Sequence, residues 1–460
     1  MRRSSAVIVI TTVLVATFGG LTPAGAVSFP QDTVVSANPA NHTPHVLDGR
    51  VYGIAEVGSK VIVGGTFTRV RNQNSTIEQP RNRIFAYDKN SGLIDSAFVP
   101  VVDGNVNDVE AGPGDTVYVG GAFLNVNGVA SRGLSQLNVG DGTRVTAFSA
   151  PTTAAVEDIV LRNGTLYAGG MFGKVKGVTR TKLAAVDGTT GAVNSDLNLP
   201  VTEPVVGSAI IKQLDVTPDG SRLIIIGNFK VVGGVSRYQV AMIDLTTSPD
   251  TLANWDTQRY TPRCSGSVDT YMRAWTSPDG TYFAIITTGA GFENTPGDTT
   301  ARFETVATGG GLQPTWVDYT GGDTLLSVVI TNAAVYVGGH QRWHNNRNGA
   351  RDQKLDGAVD RSGIAAHDPL TGVPLKWNPG RTRGVGAFVL LATADGLYVG
   401  SDTTQLGGEY HARIGWFPFA GGSANPAPGL PPCPPTSSWP TGTARSIVAP
   451  SMAPPSAAQR

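Results

Sequence analysis

One short phrase recurs along this chain and restricts its fold more than any other feature. Residues 63–67 read VGGTF, 119–123 read VGGAF, 168–172 read AGGMF and 226–229 read IGNF. The closing phenylalanines, Phe67, Phe123, Phe172 and Phe229, lie 56, 49 and 57 residues apart. A period of that length means one supersecondary unit copied in series. Each copy has the same punctuation. In the second, an alternating run over 106–111 meets the turn Gly112-Pro113-Gly114-Asp115. A run ending in the glycine pair follows, then a loop with Asn127-Gly128, then two short runs split by a turn at 140–143. Short strands broken by Gly, Asn, Asp and Pro predict an all-β fold. Four strands per copy predict the blade of a β-propeller.

Further copies start near 211, 272, 326 and 385, and the one from 272, the fifth of the chain, is degenerate. A seven-bladed β-propeller of four-stranded blades follows, with six blades as the alternative if the fifth copy is not a full blade. The seventh copy is one strand short. Ser36-Ala37-Asn38-Pro39 echoes Lys376-Trp377-Asn378-Pro379. Residues 33–37 are therefore predicted to complete the last blade, which removes an open sheet edge.

The first 26 residues read as an export signal. Arg2 and Arg3 precede an apolar run over 6–18, and Ala24-Gly25-Ala26 is a small-residue cleavage site. The mature chain would run from Val27, with the propeller over 27–420. Residues 421–460 are rich in Pro, Ser and Ala and cannot bury a core, so a disordered tail is expected there. Without Arg2 and Arg3, 33 basic residues face 35 acidic ones. That balance gives no electrostatic case for nucleic acid. No apolar stretch of the mature chain approaches transmembrane length. Localisation outside the cell and a monomeric state are expected. Cys264 and Cys433 are the candidate disulfide.

Residues that repeat with the copies read as scaffold. The glycine pairs allow close backbone approach rather than cradling a phosphate. Asp187 and Asp368, each followed by a T-G turn, read as turn-capping carboxylates. Arg81, Arg180, Arg237 and Arg361 stand seven residues before a turn aspartate and read as donors between blades.

Function is sought where the copies disagree. The sixth copy replaces its short loop with His340, Gln341, Arg342, Trp343, His344, Asn345 and Asn346. Tryptophan with arginine and amide groups suits a sugar, the indole against its face and the polar groups on hydroxyls or carboxylates. Trp377, Arg381 and Arg383 lie in the link to the seventh copy, where Asp402 follows. Asp402 is a candidate carboxylate for catalysis or a turn cap. His340 and His344 have metal-ligand spacing only on a helix, and no acidic third ligand is evident, so no metal is assigned. Glu293 and Asp298 are further acids without a placed partner.

The GGxF repeats and residues 335–346, 362–372, 377–386 and 396–403 resemble the delta-60-repeat β-propeller family of secreted bacterial proteins. The resemblance spans roughly 48–421 and implies fold and export, but no reaction and no cofactor. The expected function is an extracellular binding or scaffold protein for a glycan or cell-envelope component. A polysaccharide hydrolase or lyase using His340, Arg342, His344 or Asp402 is the alternative. A quinone-dependent dehydrogenase is more remote, because the blade tryptophan of such enzymes is matched only by Trp377.

Overall fold

The structure is a computed structural model and describes residues 29–261, 272–289, 296–347, 350, 352–419 and 423–424. The signal segment, Cys264, Cys433, Glu293 and the tail beyond 424 lie outside the described residues. Among those described, the chain is all-β, and no helix is long and apolar enough to cross a membrane.

Seven antiparallel sheets follow the repeat. They begin with the strands Val51–Val57, Val106–Ala111, Val156–Arg162, Ile210–Val216, Met272–Thr276, Leu325–Ile330 and Ala387–Ala392. Each pairs with a second strand, and that with a third, in chain order. The fourth and fifth sheets carry a full fourth strand, Thr251–Leu252 and Trp316–Tyr319. Elsewhere the four-strand expectation is only partly met. In the third sheet, for example, the outer segment holds on through Asp187 N to Ala192 O (2.8 Å) and Asn194 N to Ala185 O (2.9 Å). The T-G turn reverses the chain so sharply that only this bridge forms before it leaves.

Neighbouring sheets face one another, and the core lies in the layers between them. Ile62 and Ala86 of the first sheet pack with Val109 and Val119 of the second. Leu391 and Tyr398 of the seventh pack with Ile54 and Val63 of the first. Residues of these first strands line one cavity, among them Tyr52, Asp108, Asp158, Gln213, Trp275, Ser327 and Val389. Several lining carboxylates are acceptors for the next sheet. Asp108 Oδ2 takes Ile159 N at 3.0 Å and Asp158 Oδ2 takes Leu214 N at 2.8 Å. Asp215 Oδ2 takes both the backbone N and the hydroxyl of Thr276 at 2.7 Å.

The glycine pair has a physical cause in this packing. A Cβ on the second glycine, Gly65 or Gly121, would lie 1.9 or 2.1 Å from the carbonyl oxygen of Arg50 or Asn105 on the adjacent strand. A Cβ on the first glycine would strike the next sheet instead. Gly64 would meet Val106 at 2.4 Å, and Gly400 would meet Val51 at 2.5 Å. The repeated arginines also have structural partners, but inside their own repeat rather than between blades. Arg81 reaches Asp95 O (3.1 Å) and Arg180 reaches Asn194 O (2.8 Å), pinning each outer segment.

The N-terminal segment meets the seventh sheet. Ser36 N donates to Pro418 O at 3.0 Å and Ala40 N to Trp416 O at 2.8 Å. Thr33 and Val34 pair with Ala424 and Ser423, so two residues of the expected tail are in a strand.

Candidate functional site

The sixth sheet departs from its relatives in the loop after Gly339, and the structure divides the sequence candidates into two groups. The first group is open to solvent. Asp323, whose carboxylate is buried, holds it together. Arg342 grips Asp323 with Nε at 2.8 Å and Nη2 at 3.0 Å, and also reaches Asp352 at 2.8 Å. Arg383 binds the same Asp323 from the other side and donates Nε to His340 O at 2.9 Å. These fork-shaped contacts fix both guanidinium planes. The hydrogen bond to Asp323 also raises the Arg342 pKa.

Arg342 lies over the Trp343 ring, 4.1 Å from its centroid, and Trp343 is half-buried. His340 stands beside them with Nδ1 3.2 Å from Val385 O. Burial, then the Arg383 charge, pushes its pKa down, so the ring is neutral near pH 7. Two arginines therefore share one buried carboxylate beside a half-exposed indole.

The second group is turned inward. Arg381 is buried and donates to Thr403 Oγ1 (2.7 Å), Gly339 O (2.5 Å) and Arg383 O (2.7 Å). Burial pulls its pKa down to about 10. Asp402 accepts from the backbone N of Val385 (2.8 Å) and Gly386 (3.1 Å), which is the turn-cap alternative. Asn346 fastens the long loop through Thr320 O, Gln353 O and the backbone N of Leu355. Trp377 is buried edge-on against Tyr336 and Phe417, and its Nε1 donates to Ser36 O at 3.1 Å. It is a packing residue that ties the N-terminal segment to the sixth and seventh sheets.

His344 does not join His340. It forms a fully buried cluster with Asp318, from the outer strand of the fifth sheet, and His367, at the end of the third strand of the sixth. His344 Nδ1 is 2.6 Å from Asp318 Oδ2 and 3.1 Å from His367 Nε2, and the latter is 3.2 Å from Asp318 Oδ2. Asp318 Oδ1 accepts Asn345 N at 2.7 Å. Burial opposes ionisation of Asp318, but the two imidazoles outweigh it and hold its carboxyl well below the usual range. Burial pushes His344 down against the pull of Asp318.

Sequence reasoning missed Asp318, Asp323 and His367. Comparing the copies position by position gives the missing signal. Five residues after the second glycine, or its equivalent, stand Val70, Val126, Val175, Val232 and Leu406, all buried. His344 occupies that place in the sixth copy. His367 occupies the place of buried Tyr87, Leu137 and Val186.

No protein-family model matches the chain, and no curated protein does so either. Solved structures similar to it include the computationally designed Ika8 protein, at 11% identity and TM-score 0.44, over 84% of this chain and all of that one. The RRP9 WD40 repeats are similar at 10% identity and TM-score 0.46, over 83% of this chain and 98% of theirs. The Cps50 (Swd1) β-propeller domain of Myceliophteria thermophila is similar at 12% identity and TM-score 0.39, over 63% of this chain and 80% of its own.

Proposed function

We propose that this chain is a secreted, seven-bladed β-propeller that binds a glycan or cell-envelope component, with carboxylate-bearing sugars as the preferred class. The single observation that supports the binding site is Trp343, partly buried with Arg342 over one face, next to the carboxylate that Arg342 shares with Arg383. An indole offers its face to the C–H surface of a sugar ring. A guanidinium already oriented by a buried carboxylate loses little further freedom when it takes a second carboxylate. The hydrolase or lyase reading has less support, because His344 is enclosed and the Asp402 oxygens cap backbone N–H groups. The seven-blade reading rests on the serial contacts of the first strands, including that of Ala387–Ala392 with Val51–Val57. The backbone bonds of Ser36 and Ala40 support the N-terminal closure. Delta-60-repeat membership and export remain parts of the proposal carried by the sequence.

Affinity electrophoresis in gels containing neutral or uronate-rich polysaccharides tests the binding site. Retardation of the native protein by uronate polymers, lost in Trp343→Ala with melting temperature unchanged, is the expected result. Free migration in every gel, or full retardation of Trp343→Ala, would overturn it. Release of unsaturated uronate or new reducing ends would favour the enzyme instead.

A further inference from the structure

We infer that Asp318, His344 and His367 form a buried structural metal site for one divalent first-row ion, zinc foremost. The site is independent of the glycan-binding face.

Geometry carries the inference. Three donor atoms from three strands converge with separations of 2.6, 3.1 and 3.2 Å. Bonds of about 2.0–2.2 Å at tetrahedral angles place ligand atoms roughly 3.3–3.6 Å apart, so two of the pairs are close to ligating separation and the Asp318–His344 pair, at 2.6 Å, must open to admit an ion. All three side chains are enclosed, at 0% exposure for both histidines and 3% for Asp318. Two imidazole nitrogens and one carboxylate oxygen form a nitrogen-rich set that suits zinc, copper or nickel rather than calcium or magnesium.

Hydrogen bonds alone can also hold these three groups. A neutral imidazole carries one N–H, so the two rings can bring at most two hydrogens to the centre. If both do so, Asp318 Oδ2 accepts both, with the two ring nitrogens 3.1 Å apart. If only one does, a nitrogen lone pair faces the carboxylate or the other ring. A cation at the centre meets all three lone pairs at once.

The departure from the repeat points the same way. The equivalent positions of other copies are filled by Val126, Val175 and Val232, and by Leu137 and Val186, with no buried charge to compensate. In those copies a backbone carbonyl of the preceding segment accepts from the residue after the valine. Examples are Asn127 N to Val101 O (2.8 Å) and Lys176 N to Pro151 O (2.7 Å). Here the Asp318 carboxylate takes that place, accepting from Asn345 N at 2.7 Å. One carboxylate oxygen is thereby fixed by the backbone and the other is aimed at the rings. An ion there would clamp the outer strand of the fifth sheet to the loop of the sixth.

The test is the metal content of untagged full-length protein by inductively coupled plasma mass spectrometry. Thermal melts with a chelator and with added zinc, cobalt, nickel or copper accompany it. One equivalent of metal per chain, either as purified or after adding back one of these ions, is the expected result. Its removal should lower the melting temperature by at least about 3 °C. Asp318→Asn and His344→Ala should lose stoichiometric binding, and His340→Ala should keep it, separating this site from an exposed histidine. If a variant fails to fold, the titration of the native protein still decides. A native chain that takes up less than about one-tenth equivalent of every ion, with no change in melting temperature, overturns the inference.

Discussion

Arg381 shows how a residue can have the chemistry of a binding site and the placement of a strut. Its guanidinium ties Gly339 O, Arg383 O and Thr403 Oγ1 together with almost no exposure. Arg381→Met removes these donors, one of them from the buried Gly339 O. A loss of roughly 2–4 kcal/mol in urea unfolding is expected. Arg383 bears the same charge but is about half exposed, at 48% for its side chain. Arg383→Ala should weaken uronate binding severalfold in the same gels and change stability by less than about 1 kcal/mol. Position relative to Asp323, rather than residue type, separates the two outcomes. Gly65→Ala is a third case, since its Cβ would lie 1.9 Å from Arg50 O and the strands must part to admit it. Its cost, read by the same unfolding measurement, should exceed the ~1 kcal/mol of an ordinary Gly–Ala difference and carry the opposite sign.

At the scale of elements, the strands and turns were legible because their causes are local. Gly112-Pro113-Gly114-Asp115 breaks the chain whatever surrounds it, and Asp187 caps its own turn through Thr189 N and Thr190 N. The candidate site was legible only in part, because burial is not local. Trp343 and Trp377 look alike in sequence, yet one is half-exposed and the other lies between Tyr336 and Phe417. The partners of His344 stand 26 and 23 residues away, and Asp318 belongs to the degenerate fifth copy. The N-terminal strand His45–Val46 carries a further element-scale consequence. Burial, aided by Arg71, lowers the His45 pKa to about 4. Its Nδ1 also accepts from Ala412 N at 3.4 Å, which an imidazolium cannot do. Because the folded pKa lies below the unfolded value near 6.5, this stabilisation is complete above pH 6.5 and is lost as pH falls toward 4. Urea midpoints should fall over that interval, and the fall should shrink in His45→Gln.

For the whole molecule, the repeat predicts more than any one residue, because each copy must bury a face that only its neighbour can cover. In the proposed closure the N-terminal segment serves as the fourth segment of the seventh sheet, through the bonds of Ser36 and Ala40 and of Trp377 Nε1 to Ser36 O. Trp377→Ala should cost about 3–5 kcal/mol by the loss of a buried ring. It should also expose the segment before residue 41 to protease before the rest of the chain. Equal protection of that segment in the variant and the native protein would contradict the closure.

The carboxylates of the central cavity give this arrangement a mechanical sense. Asp108, Asp158 and Asp215 each hold an N–H of the following sheet, so those joints resist being pulled apart at the bore. At the joint of the seventh sheet with the first, the corresponding inner residues are Val389 and Gly53, neither with a side-chain acceptor to offer. Three joints are thus tied at the inner rim, whereas the seventh sheet holds the first further out, through Arg413 to Gly49 O (2.9 Å) and Val46 O (3.0 Å). A load pulling neighbouring sheets apart would therefore be met at different depths from joint to joint.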